Sequence, residues 1–233
     1  MALRAFEAQE AFHATTFEHL KRVKKVFPIF SSKEYIDEFN KSKEIITDIL
    51  PNKDLSLLNT AQVLLADNAH TIDTYANYLA HTDFTPNNFR VHNHKLYMLD
   101  TAPEVRTMHF GNKYEGWARF LNYMVIHNPE LDRLLCDYIK RKRGDEEYKS
   151  LKLMRIYKIV FLIRFYAESL IKVVSNQDLY RLTQERIDFW YSVLGHTLTD
   201  SPIPETLIET YKNKRDTLRS DEEKKRLASA GLT

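Results

Sequence analysis

Apolar residues recur at helical spacing along almost the whole chain, and the pattern breaks in one place only, which sets the class of fold. Leu3, Phe6, Phe12, Phe17, Leu20, Val23 and Phe27 form the first such face, ended by Pro28. Tyr35, Ile36, Phe39, Ile45, Ile46 and Ile49 form the second, ended by Pro51. Ser31 opens it with Glu34 three residues later, the spacing of a capping box. A third runs through Leu55, Leu58, Leu65, Ala69, Ile72, Tyr75 and Leu79, so residues 1–80 read as helical.

The break follows at "HTDFTPNNF" (81–89), a loop dense in Asp, Asn and Pro. Two short strands are expected after it, "NFRVH" (88–92) and "KLYML" (95–99), joined by "NH" as a tight hairpin turn. Helical spacing resumes beyond residue 112, over 113–127, 129–143, 145–175 and 176–196, and again from Pro204. The last stretch, 219–233, is polar enough to be a frayed tail. The expectation is a mainly α fold with a small β-hairpin, in a single domain over 1–233: helical to 80, loop and hairpin over 81–100, then helical over 101–218. No internal repeat or linker interrupts it.

Five glycines and seven prolines in 233 residues argue against an all-β fold, and 43% hydrophobic residues suffice for a core. A net charge of +2 argues against a dedicated nucleic-acid binder. One cysteine, Cys136, excludes an internal disulfide framework and fits a reducing compartment. The first residues lack the apolar region of a signal peptide. The most apolar stretch, 153–174, carries Arg155, Lys158, Arg164, Glu168 and Lys172, a charge density that opposes a membrane span. A cytoplasmic protein without membrane or nucleic-acid partners is the expectation.

The loop carries residues suited to phosphoryl transfer, which needs a carboxylate to accept the proton of an attacking hydroxyl and metal ions to neutralise phosphate charge. Asp83 is followed by Asn88 five residues on, His81 lies two residues before it, and the hairpin delivers Asp100 after "KLYML". In this order "HTDFTPNNFRVHNHKLYMLD" resembles the catalytic and metal-binding segments of aminoglycoside phosphotransferase and choline-kinase-like enzymes, members of the protein-kinase-like fold. "KYEGWARFL" is similar to the acidic-aromatic start of their next helix, with Glu115 where an Asp is more usual.

That resemblance, specific over 81–100 and weaker to about 121, implies the C-terminal helical lobe of such an enzyme. It implies Asp83 as catalytic base, His81 as a buttress of the loop, and Asn88 and Asp100 as magnesium ligands in the cofactor site. It also implies ATP and Mg2+ as cofactors and a small-molecule hydroxyl as substrate. The β-rich N-terminal lobe is absent from the pattern: all five glycines follow the motif, and Lys21, Lys24 and Lys25 fall on a helix. Three possibilities stand: a C-terminal lobe whose N-lobe or partner chain is missing, a compact protein using the lower half of the cleft, or a non-catalytic pseudokinase-like binding or scaffold protein.

Other constellations are weaker. His92 and His94, with His81, Asp83, Asp100 and His109, could suggest a metal hydrolase, but the first two flank a tight turn and read as exposed hairpin residues. Cys136 lies in an apolar helical pattern and reads as a structural thiol. "KRKR" (140–143) ends a helix, where cations suit the dipole, and Trp117 and Trp190 read as core. The resemblance also implies acidic residues on the C-terminal helices that meet a cationic substrate, for which Glu168, Glu185 and Asp188 are the candidates.

Overall fold

The computed structural model describes residues 2–101, 108–221 and 223–225, with side chains from residue 4 onward. It is mostly helical, with two small antiparallel sheets of two strands each. The expected tail over 219–233 lies largely outside the described residues. Among the described residues, no helix is long and apolar enough to cross a membrane. The chain divides into two compact units: Met1–Glu38 with Gln62–Lys158, and Phe39–Ala61 with Ile159–Thr233.

The first unit begins with α1 (Ala2–Glu18) and α2 (Leu20–Val23), followed by the start of α3 (Ser32–Ile49). Glu34 Oε2 accepts the Ser31 N–H at 2.8 Å and is also bonded by the Ser31 hydroxyl, so the predicted capping pair forms. Asp73 adds a second cap, accepting the Ser32 N–H at 2.6 Å and its hydroxyl at 2.7 Å. Those bonds satisfy donors that a helix start otherwise leaves open.

α4 (Ser56–Asp67) and α5 (Ala69–Thr74) lead into β1 (Tyr78–His81). Here the structure corrects the helical expectation for the end of 1–80, because Tyr78–Ala80 are strand. It also corrects the start of 101–218, where β4 (Met108–Gly111) pairs antiparallel with β1 in the register Tyr78↔Gly111 to His81↔Met108. Leu79, Ala80, Met108 and Phe110 are buried, and a short buried strand carries no alternation to distinguish it from helix. Phe12, Leu20, Val23 and Phe27 pack on Leu79, Met108 and Phe110.

β2 (Phe89–His92) and β3 (Lys95–Met98) form the predicted hairpin. Asn93 and His94 take φ of 47° and 60°, the two left-handed positions of a tight turn whose twist matches the strands. α6 (Tyr114–His127) and α7 (Pro129–Arg143) follow, and Asn128 caps α7 by accepting the Leu131 N–H at 3.0 Å. Gly144, at φ 88°, ends α7 in a conformation that favours glycine. α8 (Asp145–Lys172) supplies its first half to this unit, with Leu151, Met154 and Ile156 buried.

The second unit contains the remainder of α8 with α9 (Gln177–Leu198) and α10 (Glu205–Leu218). Its buried side chains include Phe39, Ile46, Leu58, Ile163, Trp190, Val193 and Ile208, and Phe189 stacks on Tyr211 at 4.2 Å between ring centroids.

Candidate functional site

The loop that follows β1 is held from three sides. Phe84 is fully buried and meets Phe89 edge-on at 4.9 Å, which anchors the loop to the first residue of the hairpin. Gly116 of α6 lets the loop lie close against that helix: a Cβ there would come within 3.2 Å of the His81 carbonyl oxygen and of Phe84 Cβ. On a third side Phe6 of α1 stacks on Trp117 at 3.6 Å and lies 6.5 Å from Phe84.

His81 joins the loop to the hairpin. Its Nδ1 accepts the Asp83 N–H at 3.2 Å, and its Nε2 lies 3.0 Å from the Leu99 carbonyl oxygen. A carbonyl only accepts and an N–H only donates, so these partners fix the neutral Nε2–H tautomer. Burial lowers the His81 pKa and outweighs the Leu99 carbonyl and the charges of Asp83 and Asp100, which favour protonation. This ring is therefore a neutral strut.

Asn88 Nδ2 donates to the Asp83 carbonyl at 2.7 Å and to Asp83 Oδ2 at 3.0 Å. A carboxylate offers no proton, so the amide must present its nitrogen to Asp83, which leaves Asn88 Oδ1 as a separate acceptor. The Leu99 N–H donates to the Asn88 carbonyl at 2.8 Å, extending the hairpin ladder by one pair and bringing Asp100 to the same end. Asp100 has φ 61°, a left-handed conformation uncommon outside glycine but tolerated by Asp. His81, Asp83, Asn88 and Asp100 are thus gathered at the base of one hairpin.

Arg119 was not evident from the sequence. Its Nε donates to Asp83 Oδ1 at 3.0 Å, so both carboxylate oxygens of Asp83 carry a donor. It stands one helical turn after Glu115 on the helix behind the loop, and no local spacing ties it to Asp83.

Glu115 is itself fully buried. Its Oε2 accepts the Tyr35 hydroxyl at 2.6 Å and lies 2.5 Å from His109 Nε2, while Oε1 is 2.6 Å from Lys158 Nζ. Burial opposes ionisation of Glu115, but the His109 and Lys158 charges override it and hold the carboxyl well below its usual range. The Asn112 N–H donates to the Tyr35 oxygen at 3.0 Å, and the Asn112 amide donates to the Ile72 carbonyl and the Ser150 hydroxyl. This polar hub ties α3, α5, β4, α6 and α8 behind the loop.

The other candidates lie elsewhere. His92 and His94 are exposed on the hairpin, whereas His109 is buried and committed to Glu115 and Tyr35. Among the described residues, no group of three or more His, Cys, Asp or Glu comes together as a metal site. Cys136 receives the Arg155 Nη1 at 3.0 Å, and burial pushes its thiol up to about 11. Within the second unit, Glu185 is bound by Lys214 at 2.9 Å, Glu168 by Arg164 at 3.1 Å, and Asp188 by Lys53. Glu185 and Asp188 line an open groove of ≈ 580 Å³ shared with Arg181 and Lys214.

The chain matches no protein-family model, no curated protein and no solved structure.

Proposed function

We propose that the protein is an ATP- and magnesium-dependent phosphotransferase acting on a hydroxyl of a small molecule, or the C-terminal lobe of one. The observation that carries this reading is the gathering of Asp83, Asn88 and Asp100 at the base of one hairpin, braced by the neutral His81 ring. Asp83 acts as general base: as the acceptor oxygen forms its bond to the γ-phosphorus, the bond to the bridging oxygen breaks, ADP leaves, and Asp83 takes the hydroxyl proton.

Asn88 Oδ1 and the Asp100 carboxylate are hard oxygen donors of the kind magnesium selects, and magnesium needs only one or two protein ligands beside water and phosphate oxygens. The residues present therefore fit the ion, and its charge would neutralise the triphosphate there. The first glycine is Gly111, so residues 1–82 supply no glycine-rich loop. Contacts to the triphosphate beyond the loop itself are assigned in this reading to a missing N-lobe or to a partner chain.

A second reading, a non-catalytic binding or scaffold protein, is favoured by one observation. Arg119 and Asn88 together occupy both oxygens of Asp83, as a purely structural aspartate would be held.

One experiment separates the two. Purified protein is given Mg-ATP and a panel of hydroxylated acceptors, and ADP formation is followed. The enzyme reading expects acceptor-dependent ADP, lowered about 10²–10⁴-fold by Asp83→Asn, with an unchanged melting temperature. ATP left intact by every acceptor removes catalysis from this chain acting alone.

A further inference from the structure

The hairpin beside the loop has two unlike faces. Its register sets Arg90 opposite Tyr97 and His92 opposite Lys95. Side chains alternate along a strand and directly paired residues share a face, so these four stand together. All four are exposed, whereas Phe89 is buried and Leu96 and Met98 are half-buried on the other face. Neither strand contains an acid.

Among the described residues, Arg4, Arg90 and Lys95 have no carboxylate partner, and the two arginines bond only to backbone carbonyls. Arg4 of α1 donates to the His94 carbonyl at 3.0 Å, which adds a third cation at the turn. In a chain of net charge +2, such a concentration on one hairpin is a local field rather than a general property of the surface.

Arg90 is also held in place. Its Nη1 donates to the carbonyls of Asn87 at 3.0 Å and Phe89 at 2.8 Å, the two residues that flank Asn88. The other guanidinium nitrogens remain to form a fork toward an anion, and a side chain already fixed loses little freedom on binding. Two residues of strand separate Arg90 from Asn88, about 7 Å. A hexose phosphate covers that span from its phosphate to a distal hydroxyl.

We infer that the outer face of the hairpin, Arg90 and Lys95 with Tyr97 and His92, receives a phosphate group of the acceptor, so the substrate is a phosphorylated hydroxyl compound rather than a cationic one. This inference rests on the phosphotransfer reading for the hydroxyl's destination, but the anion site can be tested without turnover.

The test is a titration of the isotopically labelled full chain, followed by amide chemical shifts. Inorganic phosphate is the minimal probe, glucose 6-phosphate the extended one, and glucose and choline the uncharged and cationic controls. Both phosphates are expected to shift the amides of residues 90–97, and the controls to leave them in place. Arg90→Gln and Lys95→Gln should each weaken glucose 6-phosphate binding at least tenfold. Lys95→Gln leaves the loop's hydrogen bonds intact and guards against a folding effect. Lys41→Gln, an exposed cation of the second unit, should change nothing.

Phosphates that leave the hairpin amides unmoved, or affinity unchanged in both hairpin variants, overturn the inference. If the site binds as expected but Asp83→Asn and wild type are equally inert toward ATP, the anion site stands and the phosphotransfer reading falls. If ATP is spent on cationic or uncharged acceptors with Arg90→Gln fully active, the reading stands and the anion site falls.

Discussion

Arg119 Nε donates to Asp83 Oδ1 at 3.0 Å, and it does so from a helix that packs beneath the loop rather than from the loop itself. The Arg119 side chain is 28% exposed and that of Asp83 is 43% exposed, so water screens the pair and its contribution to stability is about 0–1 kcal/mol. Its geometric role is larger, because together with Asn88 it fixes the plane of the carboxylate. Arg119→Ala should lower the melting temperature by no more than about 4 °C. Under the proposed phosphotransfer, turnover should fall by about tenfold to a hundredfold, mostly in kcat, since a misaimed base costs that much. Arg119→Lys, which keeps charge but loses the Nε–H donor, should recover part of the loss. A large drop in melting temperature would instead make Arg119 a structural brace.

Glu115 poses the opposite balance, an ionised carboxylate with no exposure. Glu115→Gln removes the negative charge but leaves the Lys158 ammonium buried beside it, and an orphaned buried charge of this kind costs about 3–5 kcal/mol. The same group predicts a pH dependence. Its pKa in the folded chain lies below the ordinary 4.5, so its stabilising effect is fully present above pH 4.5 and is lost as the pH falls below that value toward the folded pKa. Urea melts at pH 7 and pH 3 should therefore show wild type and Glu115→Gln far apart at the higher pH and closer at the lower.

His13 on α1 titrates in the other window. It is buried, neither ring nitrogen has a well-formed hydrogen bond among the described residues, and burial, with the Lys113 and Arg143 charges, outweighs the nearby Leu79 backbone and lowers its pKa from 6.5 to about 4. The unfolded chain therefore takes up this proton first. Stability is intact above pH 6.5 and declines as the pH falls from 6.5 to 4, by on the order of 2–3 kcal/mol in total. His13→Leu should be at least as stable as wild type at pH 7 and should lack this decline. Denaturant midpoints taken every half pH unit would display the crossing.

What the sequence made legible was local. Asn93 and His94 announce their turn because two adjacent residues must both take positive φ, and Ser31 and Glu34 announce a helix start because their bonds close within three residues. The order His81, Asp83, Asn88, Asp100 was readable because the hairpin that gathers them is itself a local structure. The pairing of β1 with β4 was not. Tyr78 meets Gly111 across 33 residues, and neither segment alternates, so each looks like the edge of a helix until its partner is known. Arg119 was hidden for the same reason, since nothing near residue 119 names residue 83 as its partner. Long-range partners of this kind are decided by packing, which no local spacing encodes.

Phe6 is where packing reaches the loop from the start of the chain. Its ring stacks on Trp117 at 3.6 Å and 13°, meets Phe120 edge-on at 5.2 Å, and lies alongside Phe84 of the loop. Only 3% of it is exposed, so Phe6→Ala opens a cavity and should cost about 3–5 kcal/mol, against less than about 1.5 for a volume-keeping change such as Phe6→Leu. The loss should be local before it is global. With Phe6 gone, the start of α1 loses its largest described buried side chain and keeps Arg4 on the hairpin carbonyl with the smaller Ala5 and Gln9 buried, so limited proteolysis should cut α1 first. Trp117 fluorescence should change in the same variant, because the ring loses its stacking partner, while Trp190, in the second unit, contributes a constant background. Under the proposed phosphotransfer, turnover should fall together with the protection of α1, since the wall behind Phe84 keeps Asp83 in register with Asn88. If α1 is released and the Asp83-dependent activity persists unchanged, the helix is a cover and the loop is held by α6 and the hairpin alone.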